Sequence, residues 1–296
     1  MQGSAAPVAG FADRATFAKD ADMRASFVKM HGAGNDFAVF DERRAPLGLS
    51  APQIAVLADR HRGIGCDQLI SIEPSGRADA FMRIRNPDGS EAGACGNATR
   101  CVAMLLAAES GREMLAIETI AGVLPAEILG PDRVRVDMGA PRFAWNEIPL
   151  ARPLDTLHLP PLGGQTDGAA LSMGNPHVTF FVPDAESVPL ADVGPPIEHD
   201  PLFPERVNVG FATMLAPDRM RLRVWERGAG ATRACGSAAC AAVVNASQRG
   251  LGSREMRVVM DGGTLEIAWH AEGHVLMAGP VLTAFTGEID LAAYPP

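Results

Sequence analysis

The chain lacks most of the signatures by which common protein classes are read. Its longest apolar runs fall far short of the ~18–20 residues that a membrane span requires. No Lys/Arg-rich stretch offsets a formal net charge of −9, which argues against wholesale binding to nucleic acid. Five cysteines (Cys66, Cys95, Cys101, Cys235, Cys240) form no Cys-x-x-Cys pair, and the seven histidines show no zinc-like spacing with them. His270 and His274 are four apart, but Gly273 between them reads as a hairpin turn rather than a helical ligand pair. There is no Gly-x-x-x-x-Gly-Lys phosphate loop and no Gly-x-Ser-x-Gly nucleophile elbow. No metal and no cofactor are therefore expected. The first residues show no basic segment followed by an apolar stretch, so no secretory signal is expected. A cytoplasmic location with reduced thiols follows as the expectation.

Aromatics are scarce at 5%, whereas Gly (31) and Pro (23) are plentiful. That composition suits many short strands and tight turns better than a helical bundle. A length of 296 residues with 47% hydrophobic content allows one large domain or two modest ones. Residues 1–26 are Ala-rich with mixed charge and read as a disordered extension. Alternating patterns predict strands at Val134/Val136/Met138, at Met220/Leu222/Val224 and at Leu265/Ile267/Trp269. Asp261-Gly262-Gly263 predicts a hairpin ahead of the last of these.

Two segments predict helices, 97–110 stopped by Gly111 and 237–249 stopped by Gly250. Asn97 and Ser237 suit the helix N-termini. The segments resemble each other: Ala94-Cys95-Gly96-Asn97-Ala98 echoes Ala234-Cys235-Gly236-Ser237-Ala238 at an offset of 140 residues. Arg83 and Arg223 precede the two cysteines by the same interval, and Gly34-Asn35 echoes Gly174-Asn175. One long repeat is not a solenoid. It predicts two similar domains, each offering a strand–loop–Cys–helix unit to a shared cleft, where ligand sites favour lying.

A thiol at a helix start meets unpaired N–H groups and the positive end of the helix dipole, both of which favour thiolate. The Gly-Asn and Gly-Ser that follow make N–H pockets suited to a carboxylate. Two such units facing one amino acid suit proton removal at Cα by one sulfur and delivery by the other, with the carbanion stabilised by preorganised donors. One proton is then shared by the pair. A buried Cys is commonly just a small apolar group, and that reading is preferred for Cys66, Cys101 and Cys240. For Cys95 and Cys235 the matched flanks favour chemistry. A disulfide between them, formed on oxidation, would inactivate the protein.

The stretches 29–37 (KMHGAGNDF), 62–68 (RGIGCDQ), 86–90 (NPDGS), 95–97 (CGN), 173–177 (MGNPH), 205–208 (ERVN), 226–230 (ERGAG) and 235–237 (CGS) together resemble the diaminopimelate epimerase family from Phe27 onward. The resemblance implies an α/β (α+β) fold of two pseudo-symmetric domains, each a curved, mostly antiparallel sheet around a central helix. It implies an N-terminal domain at 27–140, joined by the returning 285–296, and a C-terminal domain at 141–284. The implied activity is cofactor-independent interconversion of LL- and meso-diaminopimelate in lysine and peptidoglycan-precursor synthesis, with Cys95 and Cys235 as the acid/base pair. Asn35, Gln68, Asn86, Asn175, Asn208, Glu226 and Arg227 match substrate-contacting positions. Gly96, Asn97, Gly236 and Ser237 match the carboxylate cradle. His177 and Glu226 are candidates for tuning the protons, His177 near Cys95. Arg227 suits a second carboxylate through its fork, and Asn86 and Asn208 suit a second amino-acid head group. Ala98, Ala238 and Ala231 depart from the family pattern, and Ala231 removes a polar contact expected near Cys235. The expected partner is the small-molecule substrate, with neither nucleic acid nor membrane; a homodimer is left open. The rivals are a proline or hydroxyproline racemase, which would leave Arg227, Asn86 and Asn208 nothing charged to bind, and a non-catalytic amino-acid-binding or thiol redox protein.

Overall fold

The computed structural model describes residues 24–294. Of the expected extension, residues 1–23 lie outside the described residues, while 24–26 already belong to the first strand. The first half comprises β1 (Arg24–Gly32), β2 (Asn35–Asp41), α1 (Ala51–Ala58), β3 (Gln68–Glu73), β4 (Ala80–Arg85), β5 (Glu91–Ala92), α2 (Gly96–Ser110), β6 (Met114–Thr119), β7 (Gly122–Gly130) and β8 (Arg133–Asp137). The second comprises β9 (Ala169–Ser172), β10 (Pro176–Phe181), α3 (Leu190–Glu198), β11 (Asn208–Ala216), β12 (Arg219–Glu226), β13 (Gly230–Thr232), α4 (Gly236–Gln248), β14 (Glu255–Met260), β15 (Gly263–Trp269) and β16 (Val275–Pro280). A last strand, β17 (Leu282–Asp290), crosses back to pair antiparallel with β1.

The two halves repeat one pairing scheme. In the first, β1–β2 is antiparallel, β2–β3 parallel, β3–β4 antiparallel, β4–β6 parallel, and β6–β7–β8 antiparallel. In the second, β9–β10, β10–β11, β11–β12, β12–β14 and β14–β15–β16 follow the same order of senses. β8 and β16, the last strand of each scheme, pair antiparallel and join the halves into one continuous ladder. The duplicated Cys-helix segments of the sequence are thus the visible part of a duplicated architecture.

Each half wraps its sheet around one helix. α2 buries Val102, Leu105 and Leu106 against β1, β6, β7 and β8. α4 buries Val243 and Val244 among β9, β10, β14 and β15. Full burial of each such side chain contributes about 1.5–3 kcal/mol. The predicted strands form with their apolar residues inward, as at β8 (Val134, Val136) and β12 (Met220, Leu222, Val224). The predicted Gly262-Gly263 hairpin joins β14 to β15, and His270 and His274 flank the β15–β16 turn at Gly273. Gly111 ends α2 at φ 70, its N–H closing on the Ala107 carbonyl. α4 ends at Gln248, so Arg249, expected inside the helix, is its cap, and Gly250 takes the left-handed position after it. No helix among the described residues is long and apolar enough to cross a membrane.

Candidate active site

Cys95 and Cys235 are themselves the N-caps of α2 and α4, with extended backbones at φ −147 and −127 and no side-chain capping bond. Asn97 and Ser237, expected at the N-termini, are the second helical residues instead. The caps carry sulfur where Ser, Thr, Asp or Asn would normally satisfy the first N–H groups, so those donors stay directed at the site. Gly96 and Gly236 let the two helix starts close on one side chain. A Cβ on Gly96 would lie 2.4 Å from Met277 Cε, and one on Gly236 would lie 2.7 Å from Met277 Sδ. The same Gly236 position is 3.6 Å from Asn97 Oδ1. Met277 therefore sits between the two Gly residues that follow the cysteines, and the two thiols face one region from opposite halves.

The N–H groups of Asn97 and Ala98 point at the Cys95 sulfur, and that of Ala238 points at Cys235. They favour thiolate, as the sequence led one to expect, but burial outweighs them. It pushes the Cys95 thiol up to about 11 and Cys235 well above its ordinary value. The helix starts alone therefore do not make resting thiolates. Glu226 adds to this. Its carboxyl is hydrogen-bonded to Cys235 and close enough to Cys95 to raise both thiols. Burial raises Glu226 itself, although the Thr232 hydroxyl donates to it.

The remaining candidates fall into groups around these sulfurs. Asn35 Oδ1 accepts from Cys95 Sγ at 3.7 Å and from Asn97 Nδ2 at 3.2 Å. Gln68 Nε2 donates to Asn86 Oδ1 at 3.0 Å, pairing the starts of β3 and the turn after β4. Asn175 Nδ2 reaches Ser237 Oγ at 3.4 Å, and Ser237 Oγ lies 3.6 Å from Cys235 Sγ. Asn208 Oδ1 accepts the Arg227 backbone N–H at 3.0 Å, while its Nδ2 donates to the Pro176 carbonyl. The Arg227 guanidinium is exposed and donates to the Glu205 carbonyl at 2.9 Å, leaving most of its fork available. His177 is buried and hydrogen-bonds Asn175 Oδ1 at 2.9 Å. That links it to the Cys235 side through Ser237, whereas the sequence suggested the Cys95 side. Burial and the Arg227 charge push its pKa down to about 3, so it is neutral at ordinary pH.

Several neighbours escaped the sequence reading. Asp67 accepts from Asn35 Nδ2 at 3.0 Å, and it lies inside a quoted motif next to Gln68. Thr232 holds Glu226, close to the Ala231 that departs from the family pattern. Arg100 donates to Asn97 Oδ1 at 2.8 Å, but a lone arginine in an Ala/Leu-rich helix gives no pattern to detect. Glu198, on α3, accepts from Trp225 Nε1 and the Gly228 N–H on either side of Glu226 and Arg227, and no motif announces it.

The family model for diaminopimelate epimerase matches residues 27–144 and 169–283. Diaminopimelate epimerase of Acidiphilium cryptum is 61% identical over 271 residues, covering 91% of this chain and 98% of that one. The Rhodospirillum centenum enzyme of the same name is 55% identical over 272 residues, covering 91% and 94%. Among solved structures, a hydroxyproline epimerase from Agrobacterium vitis superposes with a TM-score of 0.67 at 15% identity, covering 93% of each chain. A methylitaconate-delta-isomerase superposes with a TM-score of 0.61 at 14% identity, covering 93% and 98%. Those two share the fold. With the family model spanning both halves and relatives this similar over nearly their whole length, the chain belongs to the diaminopimelate epimerase family.

Proposed function

We propose that this protein interconverts LL- and meso-diaminopimelate by transfer of one Cα proton between Cys95 and Cys235, without a cofactor, in lysine and peptidoglycan-precursor biosynthesis. The observation that carries the reading is the convergence of two sulfur-capped helix starts, one from each half, on Met277 and Glu226. The substrate α-carboxylate sits against the N–H groups at Gly96-Asn97 and Gly236-Ser237, where helix ends favour an anion. One cysteine, as thiolate, takes the Cα proton from one face, and its sulfur becomes a thiol. The electron pair stays at Cα and is spread onto the carboxylate held by these donors. The opposite thiol gives its proton to the other face and becomes the thiolate. The enzyme ends with its proton on the other sulfur, so return to the starting form requires exchange with solvent.

Both free thiols are held above their ordinary values, so the reactive form has to be made on binding. A dry site with its N–H donors already in place strengthens every such interaction once substrate excludes water. Glu226, held by Thr232 and bonded to Cys235, relays the proton of that thiol. His177, neutral and joined to Ser237 through Asn175, orients this side of the cradle. The distal amino-acid head group meets Gln68, Asn86, Asn208 and Arg227, whose guanidinium fork suits the second carboxylate.

The decisive experiment is α-proton exchange in deuterated water with LL-diaminopimelate under reducing conditions, for wild type, Cys95→Ala and Cys235→Ala. Deuterium uptake with inversion in wild type and loss of inversion in both variants is expected. Exchange with proline or hydroxyproline but not diaminopimelate would move the protein to the racemase class.

A further inference from the structure

Arg100 is the largest fully buried side chain among the described residues. It projects from α2 into a slot that two glycines keep open. A Cβ on Gly32 of β1 would lie 2.8 Å from Nη2, and one on Gly279 of β16 would lie 3.2 Å from Cζ. Its Nη2 donates to Asn97 Oδ1 at 2.8 Å, and its Nε and Nη1 have no hydrogen-bond partner. A guanidinium keeps its charge inside a protein, and an enclosed charge is costly without an anion to face. The titratable groups coupled to it are three thiols, Cys101, Cys95 and Cys240, with no carboxylate among them.

The one bond it makes leads straight to Cys95. An amide oxygen held by a cation turns its NH₂ the other way, and Asn97 Nδ2 indeed donates to Asn35 Oδ1 at 3.2 Å. The same oxygen accepts from Cys95 Sγ at 3.7 Å. Asn35 in turn donates to Asp67 at 3.0 Å, so both amides in the relay have a fixed sense. The matching place in the second half has no cation, since Cys240 stands at the position corresponding to Arg100 at the 140-residue offset. There the relay runs through neutral Asn175 and Ser237, and Glu226 stands beside the sulfur. The charged groups acting on Cys95 are Glu226 and Arg100; on Cys235 Glu226 acts without the arginine. The two reacting thiols are therefore electrostatically unlike.

We propose that Arg100 is a positioning residue for the Cys95 half of the two-thiol reaction. Through Asn97 and Asn35 it orients the Cys95 S–H, and its buried charge offsets the hold of the Asn35 oxygen on that proton, so that Cys95 gives up its proton before Cys235. This rests on the two-thiol reading above, but its primary readout does not require turnover.

The test uses the full reduced chain. Initial rates of iodoacetamide labelling at Cys95 and Cys235 are followed by peptide mass from pH 6 to 8.5, where the fold is intact, beside deuterium exchange with diaminopimelate and Tm. In wild type, Cys95 labels faster than Cys235 at each pH. Arg100→Met, which keeps bulk without charge, slows Cys95 labelling about ten-fold or more and leaves the Cys235 rate in place. It lowers kcat about ten-fold or more with little change in KM. Arg100→Lys, which keeps charge without the fork, restores the Cys95 labelling rate and only part of kcat. If Arg100→Met does not fold, Arg100→Lys still decides: a Cys95 labelling rate within about three-fold of wild type with kcat reduced supports the role. Unchanged labelling rates in Arg100→Met, or equal rate changes at both thiols in either variant, overturn it. Ordered labelling that depends on Arg100, with no exchange on any amino acid, would keep the arginine's hold on Cys95 and remove the proposed reaction.

Discussion

Glu198 accepts the indole N–H of Trp225 at 2.7 Å. Its other oxygen accepts the Gly228 N–H at 2.9 Å, and the residue is buried at the end of α3. The Trp225 side chain packs against that helix, where a Cβ on Gly194 would lie 2.4 Å from its Cγ. One carboxylate thus brackets the two residues between, Glu226 and Arg227, from outside the site.

Glu198→Gln keeps the shape but leaves only one acceptor oxygen for two donors. An unmet buried donor costs about 1–3 kcal/mol. The turn carrying Glu226 and Arg227 is then free to move. KM for diaminopimelate is expected to rise several-fold, more than kcat falls, with a lower Tm. Steady-state kinetics beside a thermal melt check this, and a lower Tm with unchanged KM would confine Glu198 to stability.

The β1–β2 turn, at Ala33 (φ 54) and Gly34 (φ 82), packs against the β14–β15 turn of the other half. A Cβ on Gly262 would lie 2.0 Å from the Ala33 carbonyl oxygen, and the Gly262 N–H is bonded to the Arg233 carbonyl two residues before Cys235. At the matching positions across the pseudo-symmetry there is room: a Cβ on Gly174 or Gly122 would meet nothing within 4 Å. Gly262→Ala is therefore expected to push away the turn that carries Asn35, and with it the Cys95 acceptor. Overpacking of this kind costs about 1–3 kcal/mol. Ala121→Ser, on the unpacked side, serves as the control. Equal Tm and activity in the two variants would show that the turn contact is not needed.

How legible this was differs from residue to residue. The paired Cys-helix starts could be read directly, because the same short-range chemistry occurs twice at matched spacing. The alternating strands β8, β12 and β15 were legible for the same reason, since a two-residue period survives in a local window. The parallel pairings β2–β3 and β10–β11 were not, because they join residues separated by a helix and leave no local mark. The net direction of the thiol shift is not legible in the sequence: dipole and N–H groups are local and visible, whereas the desolvation that outweighs them depends on the whole fold. The place of Arg100 is not legible for a related reason. A charged residue on a helix defaults to the solvent face, and only the glycines at 32 and 279, from distant strands, make room for it inside.

His177 gives an acid-side prediction. Its folded pKa is depressed to about 3 against an unfolded value of about 6.5. Between those values the unfolded chain binds the extra proton. Stability associated with the neutral ring is thus fully present above pH 6.5 and is lost progressively as pH falls toward 3. His177→Gln should show a smaller fall in Tm than wild type between pH 7 and pH 4.5. Parallel Tm curves would mean that the ring is not held neutral.

The cysteines give the opposite sign at high pH. Burial pushes Cys66 and Cys95 up to about 11, Cys101 and Cys240 up to about 12, and Cys235 well above its ordinary value. Unfolded thiols titrate near 8.5, so above that pH the folded state holds more protons than the unfolded one. The sign is fixed: the stability is fully present below about pH 8.5 and falls as pH rises toward the folded values. Each thiol contributes a slope of about 1.4 kcal/mol per pH unit. Several acting together exceed the ~5–15 kcal/mol stability of an ordinary domain within a few pH units. A cooperative loss of structure between pH 9 and 11 is expected under reducing conditions, followed by circular dichroism. Cys240→Ala removes one titrating thiol, so its unfolding curve should be shallower in pH than that of wild type even where its stability at pH 7.5 is lower. A variant curve as steep as wild type would mean that the buried thiols do not drive alkaline unfolding, and that the titration of exposed groups does.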